Sequence, residues 1–296
     1  MTGAKGFLGK NVVEAFSDKN IEIVPIGRDD GDLALPETAY RLLAGCDVVV
    51  HLAANVGGIG YLRENKAAAF FDNYQMGLNV INACLAHRPR RLILAGTPCS
   101  YSADCALPLV ESDLLKGLPS GDTGSYGLAK LAVSLAANAL CLPNGIDVAT
   151  VIPSNLYGPH DRYNETSSHV VAALLTKALA TGDGQTFEVW GDGLATRDFV
   201  YVGDVAEAIA SVVFEPGKLN GAMMNLGSGV ETSIAHLSKV IAATVGRGIY
   251  PKFLTDKPVG YLRRAASIEN AARLVGFQAD TTLEAGLRKT VDWLQT

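Results

Sequence analysis

The sequence predicts an α/β fold, a doubly wound parallel sheet followed by a smaller C-terminal α/β lobe. Three observations predict it. Short β-branched or leucine-rich runs alternate with longer helical patterns, a glycine-spaced turn opens the first such unit, and the rhythm loosens after Pro153. Alternation of this kind argues for parallel strands, because each return to the same edge needs a crossover helix laid on a sheet face.

The glycine turn comes first. Gly3, Gly6 and Gly9 in TGAKGFLG have the spacing that permits a tight turn, a close backbone approach to a pyrophosphate and close helix packing. The helix start, at Phe7 and Leu8, then offers amide donors and the positive end of its dipole. This is the dinucleotide-binding, Rossmann-type arrangement. Met1 and Thr2 directly precede the turn, so the central first strand is missing. Either the gene product starts a few residues earlier, which is the preferred reading, or the sheet is completed in some unusual way.

Residues 21–26 read as the second strand, ending in Gly27 and Arg28 where an adenosine ribose is recognised. Arg28 together with Lys5 suits a 2′-phosphate and favours NADP. Asp29 and Asp30 suit free ribose hydroxyls and leave NAD open. Residues 48–53, 91–96 and 148–153 read as further strands, with helices over 71–86 and 126–139. Beyond them come a polar stretch at 157–168, a helix near 169–180 and a loop at 181–193. Residues 198–214 read as a strand followed by a helix opening near Asp204. The expected division is a dinucleotide-binding domain at 1–153, rejoined by 198–217, and a substrate-binding lobe made of 154–197 and 218–296.

Composition narrows the function. The chain of 296 residues carries 25 Lys or Arg and 30 Asp or Glu, without a like-charged block that would mark a nucleic-acid or membrane partner. Cys46, Cys84, Cys99, Cys105 and Cys141 are odd in number and lack CxxC spacing, so neither a disulfide framework nor a metal site is expected. A reducing cytoplasm fits them. The apolar stretches read as interrupted well short of a membrane span, and no signal peptide pattern opens the chain.

The candidate chemistry sits in SYGLAK. Tyr126 and Lys130 are four residues apart and share a helix face. A neighbouring ammonium, helped by the positive charge of a nicotinamide ring, lowers a phenol from its usual pKa of about 10 and suits it to acid–base work. Thr97 lies at the C-terminal end of the 91–96 strand, where ligands of parallel sheets bind.

With these residues in place, the chain resembles the extended short-chain dehydrogenase/reductases of the NAD-dependent epimerase/dehydratase type over essentially its whole length. Within them it looks most like the GDP-L-fucose synthases, which epimerise C3 and C5 of GDP-4-keto-6-deoxymannose and then reduce C4 with NADPH. Six separated motifs carry the resemblance: HLAANVGGIG at 51–60, GTPCSY at 96–101, YGLAK at 126–130, PSNLYGPHD at 153–161, SSHVVAALL at 167–175 and VWGDGLATRDFVYVGD at 189–204.

The resemblance implies that Cys99 is the epimerising base and His169 the epimerising acid, with Thr97 in a place usually held by serine. A 4-keto group acidifies the protons at C3 and C5, so a thiolate can remove one and an imidazolium return it from the opposite face. It also implies cofactor contacts at Leu52, Ala53, Ala54, Lys130, Pro153, Asn155, Leu156 and His169. Substrate contacts follow at Asn155, Lys177, Trp190, Arg197 and Lys257, with Arg197 on the diphosphate, and a homodimer through helices 71–86 and 126–139. Pro98 before Cys99, Asn55 in place of a lysine, and SGDTGSY before Tyr126 depart from the family pattern and leave the sugar open. Two rivals remain: a nucleotide-sugar 4-epimerase with tightly bound NAD, and a non-catalytic dinucleotide sensor.

Overall fold

The computed structural model describes residues 1–163, 168–257 and 259–296. Ser167, which opens SSHVVAALL, the rest of 164–167 in the expected polar stretch, and Pro258 of DKP lie outside the described residues. The first part of the chain forms α1 (Phe7–Ala15), α2 (Pro36–Leu42), β1 (Val48–His51), α3 (Ile59–Glu64), α4 (Lys66–His87), β2 (Arg91–Ala95), α5 (Gly124–Cys141) and β3 (Asp147–Pro153). There follow β4 (Asn155–Tyr157), α6 (Val170–Ala180), β5 (Thr186–Trp190), β6 (Thr196–Tyr201), α7 (Val202–Phe214) and β7 (Ala222–Leu226). The last elements are β8 (Glu231–Ser233), α8 (Ile234–Val245), β9 (Tyr250–Leu254), β10 (Arg263–Arg264), α9 (Glu269–Val275) and α10 (Leu283–Gln295).

The larger sheet runs β1-β2-β3-β7, all parallel. Every position of β3 is buried, as a strand covered on both faces requires. On one face Val80, Ile81 and Cys84 of α4 and Val133 and Ala137 of α5 pack on Leu92, Leu94 and Val148. On the other, Val12 of α1 and Val205, Ile209 and Val212 of α7 pack on Val50, Ile93 and Val151. Gly77 lets α4 and α5 approach, since a Cβ there would lie 2.4 Å from a Val133 methyl.

The strand expected over 21–26 is reduced to one pairing. Thr2 bridges Ile26 on one side and His51 on the other, both in parallel. The Ile26 amide donates to the Met1 carbonyl at 2.8 Å, and the Thr2 amide to the Val50 carbonyl at 2.9 Å. Among the described residues 21–25 join no ladder, and Val24 contributes its carbonyl to the Met1 ammonium at 2.7 Å. The central position left vacant in the sequence reading is thus filled by two residues bonded on both sides.

The smaller unit pairs β6 with β4 and β10 in parallel and with β8 antiparallel, and β5 with β9. The expected loop at 181–193 therefore contains a strand. Its alternation puts Phe187 and Val189 into a core with Leu174 and Leu175 of α6 and Leu237 of α8 while Thr186, Glu188 and Trp190 face out. β6 opens into α7 at Val202, two residues ahead of Asp204. Strand pairing divides residues 218–296 between the units: β7 joins β3, and Ala271 and Phe277 enter the core of the larger sheet.

Gly121–Asn144, which contains α5, is 24 residues long and apolar enough by length and composition to cross a bilayer. Its packing accounts for that character, because it lies between α4 and the sheet.

β2, β3 and the end of α7 are joined by a buried ion pair. Arg91 Nε donates to Asp147 Oδ2 at 2.8 Å, and the same guanidinium donates to the carbonyls of Val212 at 2.6 Å and Gly217 at 2.5 Å. Asp147 also accepts the Asn220 amide at 2.8 Å. Arg91→Met leaves this carboxylate buried without its cation and should lower unfolding free energy by about 3–5 kcal/mol. Denaturant titration checks this, and Arg91→Met combined with Asp147→Leu should recover part of the loss.

Candidate active site

The glycine turn is shaped by contacts a side chain would break. Gly3 has φ +71°, and a Cβ on it would lie 2.6 Å from the Ala53 nitrogen; one on Gly9 would lie 2.1 Å from the Gly3 oxygen. Leu52 and Ala53 therefore run directly over the turn, where the Ala53 amide donates to Thr2 Oγ1 at 3.3 Å. Gly6 stands in extended conformation at the N-cap of α1. The amides of Phe7, Leu8 and Gly9 lack an intrahelical acceptor by position, so the cradle and its dipole fit the pyrophosphate of a dinucleotide.

At the end of the vestigial second strand, the two expected phosphate-pairing cations differ. Lys5 Nζ lies 3.2 Å from Asp29 Oδ2 and 3.5 Å from Asp30 Oδ2, and Asp30 is fixed by the Gly27 amide at 2.7 Å. Arg28 is exposed, and its guanidinium has no hydrogen bond or ion pair among the described residues.

The turn after β2 meets α5 backbone to backbone. Pro98–Ser100 form one helical turn capped by Thr97, whose Oγ1 accepts the Cys99 amide at 3.2 Å. A Cβ on Gly127 would lie 2.0 Å from the Cys99 carbonyl oxygen, and Ser100 Oγ donates to the Gly127 carbonyl at 2.9 Å. Tyr126, one residue before Gly127, consequently packs with Cys99, Leu62 and Ala69. Lys130 follows a turn later on the same face, buried.

Burial dominates the electrostatics here. It raises the Tyr126 phenol above its ordinary range, with Cys99 adding to the shift, and pulls Lys130 down to about 8. The expected lowering of the phenol is therefore reversed in the ligand-free fold, because desolvation disfavours both charged forms. His51, bonded through Nδ1 to Thr2 Oγ1 at 2.7 Å, is held neutral, its pKa pushed down to about 3 by burial first and by Lys130 second.

The remaining candidates lie at the end of β3, on β4, β5, β6 and α6, and after β9. Pro153 ends β3, and Leu156 and Asn155 follow in β4, with Asn155 Nδ2 donating to the Asp198 carbonyl at 3.1 Å. Lys177 lies 5.5 Å over the Trp190 ring and donates to the Glu188 carbonyl at 3.2 Å, which brings those two together. Arg197 donates to the Thr196 carbonyl at 2.6 Å and lies against Gly260; burial first, then Arg264, lowers its pKa. Lys257 is exposed, 3.9 Å from Asp256, and joins none of the others. His169 caps α6 and pairs with Asp161 at 3.6 Å; no hydrogen bond among the described residues links it to Cys99.

Three residues here escape a sequence reading. Gly127 had a signal, a glycine inside a helical pattern that marks close backbone approach. Asp161, beside His169, closes a motif without declaring a partner. Arg264 had none: it donates to the Pro98 carbonyl from 166 residues away along the chain, and stacks 4.1 Å over its near neighbour Tyr261.

The model of the NAD dependent epimerase/dehydratase family matches residues 1–227. The chain is similar to the GDP-L-colitose synthase of Yersinia pseudotuberculosis, 31% identical over 99% of this chain and 96% of that protein. It is similar to the GDP-L-fucose synthase of Escherichia coli (strain K12), 29% identical over 99% and 95%. Among solved structures, a GDP-L-fucose synthetase from Naegleria fowleri bound to NADP superposes with a TM-score of 0.90 at 26% identity, over 99% of this chain and 91% of that one.

The Lys130 shift has a measurable consequence. Between its folded value of about 8 and the ordinary 10.5, the unfolded chain holds a proton that the folded one has released. Stability contributed here therefore rises with pH across that window. Unfolding free energy of the ligand-free protein, minus that of Lys130→Met, should increase from pH about 8 to about 10.5. A difference that stays flat would contradict the burial of this lysine.

Proposed function

The chain belongs to the NAD dependent epimerase/dehydratase family, and from that premise we propose that it is an NADP(H)-dependent epimerase/reductase of a GDP-linked 4-keto-6-deoxyhexose. The observation that carries the reading is the packing of Cys99 against Tyr126, one helical turn from the buried Lys130. A simple 4-epimerase or reductase uses the tyrosine and lysine; a thiol against the phenol adds a base beside the same carbonyl. The names of the relatives, GDP-L-colitose and GDP-L-fucose synthases, support the nucleotide and the sugar class.

In this reading Gly3, Gly6, Gly9, Phe7 and Leu8 hold the pyrophosphate of the cofactor, Arg28 its 2′-phosphate, and Leu52, Ala53, Ala54 and Pro153 its flanks. When bound, the cofactor supplies the hydride that reduces C4. Cys99 as thiolate takes the proton from C3 or C5, and the electron pair moves into the carbonyl, whose oxygen Tyr126 and Thr97 hold. His169 gives a proton to the opposite face of the same carbon. In reduction the Tyr126 hydroxyl gives its proton to the C4 oxygen, a role suited to a phenol kept protonated by burial. Arg197 meets the diphosphate, and Asn155, Lys177, Trp190 and Lys257 the rest of the nucleotide sugar, within the lobe built on β4, β6 and α6.

The reading includes a homodimer through α4 and α5, supported by Phe71, Leu128 and Leu135 lying exposed on those helices, and a cytosolic location suited to five free cysteines. One observation favours a second reading, a 4-epimerase with tightly bound NAD: Lys5 is already engaged by Asp29 and Asp30. Arg28→Ala separates them. It should weaken NADPH and leave NADH nearly unchanged in a binding titration, whereas tighter NADH binding by the native protein supports the second reading.

The reaction is tested by incubating the protein with GDP-4-keto-6-deoxyhexoses in D2O, with and without NADPH, and identifying the product by NMR. Deuterium should enter C3 or C5 even without cofactor, and Cys99→Ser should abolish that while retaining some reduction. Tyr126→Phe should cost roughly 100- to 10,000-fold in reduction with cofactor affinity kept. Reduction without deuterium at C3 or C5 would refute the epimerase half.

A further inference from the structure

We propose that Asp161 is the positioning residue of His169, its carboxylate holding the Nδ1 edge of the imidazole so that Nε2 is the nitrogen turned to the sugar; this rests on the reading of His169 as the epimerising acid. His169 Nδ1 lies 3.6 Å from Asp161 Oδ1. The two side chains differ sharply in exposure, 50% for the histidine and 3% for the aspartate. Asp161 Oδ1 also accepts the Arg162 amide at 2.7 Å, while Oδ2 is fully buried and has no hydrogen-bond partner among the described residues.

Asp161 is the fixed member of the pair. Its turn is fastened to the helix of the glycine cradle: Asn11 Nδ2 donates to the Pro159 carbonyl at 2.9 Å, and His160 Nε2 pairs with Glu14 Oε1 at 2.7 Å. Tyr163 donates from its hydroxyl to the Gly158 carbonyl at 2.8 Å, and the His160 ring packs 5.0 Å from Trp293 of α10. His169, at the N-cap of α6, has no comparable anchor on its ring among the described residues.

A buried carboxylate with an orphan oxygen opposes folding, so its presence calls for a use. The imidazole is the side chain placed against this carboxylate, at its Oδ1. At 3.6 Å the contact is longer than a direct N–H···O bond, and contacts of this kind tighten when a substrate orders the site. With Nδ1–H donated to Asp161, the ring presents Nε2–H outward. The Nε2 proton passes to the substrate carbon, the ring becomes neutral with Nδ1–H still on Asp161, and solvent restores Nε2–H. Asp161 thus fixes the ring's orientation and tautomer without itself exchanging a proton.

Asp161→Asn is nearly isosteric, keeps an acceptor for the Arg162 amide and removes the charge. Solvent deuterium incorporation into the GDP-4-keto sugar should fall about ten- to a hundredfold with little change in KM, while NADPH affinity and melting temperature stay level or the latter rises. In the long-range imidazole NMR spectrum, the neutral His169 ring should populate the Nδ1–H tautomer in the native protein and lose that preference in the variant. Added to His169→Asn, the substitution should cost nothing more, and Asp161→Glu should retain more exchange than Asp161→Asn. Native-rate exchange in Asp161→Asn, additive losses in the double variant, or a loss explained by a fallen melting temperature overturns the assignment. Absence of exchange in the native protein overturns the proposed reaction and this assignment together, which separates that failure from the others.

Discussion

The candidate site depends on one close contact, the Gly127 backbone of α5 against the carbonyl of Cys99. No side chain fits between them, so the helix that carries Tyr126 and Lys130 is seated directly on the turn that carries Thr97 and Cys99. Four groups from two segments are thereby held to a fixed separation by main-chain packing rather than by their own side-chain bonds. Ser100 and Thr97 reinforce the same seat, one donating to Gly127 and the other capping Cys99. Groups on rigid elements keep the narrow tolerances that proton transfer demands.

That seat also excludes water, and exclusion sets the protonation of what lies beneath. Tyr126, Lys130 and His51 are all driven toward their neutral forms, and in each the loss of hydration is the leading cause. A neutral phenol is ready to donate. The lysine is brought to about 8, where a charge supplied by a ligand can shift it. The direction at Tyr126 is opposite to the one that a neighbouring ammonium alone would give, because burial outweighs it.

The second unit reaches this centre through few segments. β6 carries Arg197 and continues without a break into α7, which packs beneath the larger sheet against α1. β10 brings Arg264 to the Pro98 carbonyl and lies in register with β6, placing Arg264 opposite Arg197. Burial first, and the neighbouring Arg264 second, disfavour the charge of Arg197.

Much of this was legible in the sequence, for local reasons. The GxxGxxG spacing, the four-residue separation of Tyr126 and Lys130, and the alternation of buried runs with helices are short-range patterns that follow from helix and strand periods. The strands at 48–53, 91–96 and 148–153 and their helices stand close to those bounds in the structure. Residues 21–26 read as a strand from their composition, but a strand also needs a neighbour to pair with, and of these residues Ile26 forms the bridge, to Thr2. The strand at Thr186–Trp190 was passed over although it alternates, because surrounding glycines and charges read as loop. Burial reversed the expected direction at Tyr126, since a sequence names the nearby ammonium but not the water that folding removes. By itself, then, the sequence determined which residue types recur at which local spacing, and so the sheet, the cradle and the tyrosine–lysine face. Tertiary structure alone decided which distant groups meet: Gly127 on Cys99, Arg264 on Pro98 and the turn at Asp161 on α1, because contacts made across more than a hundred residues or between backbones leave no periodic trace in the chain.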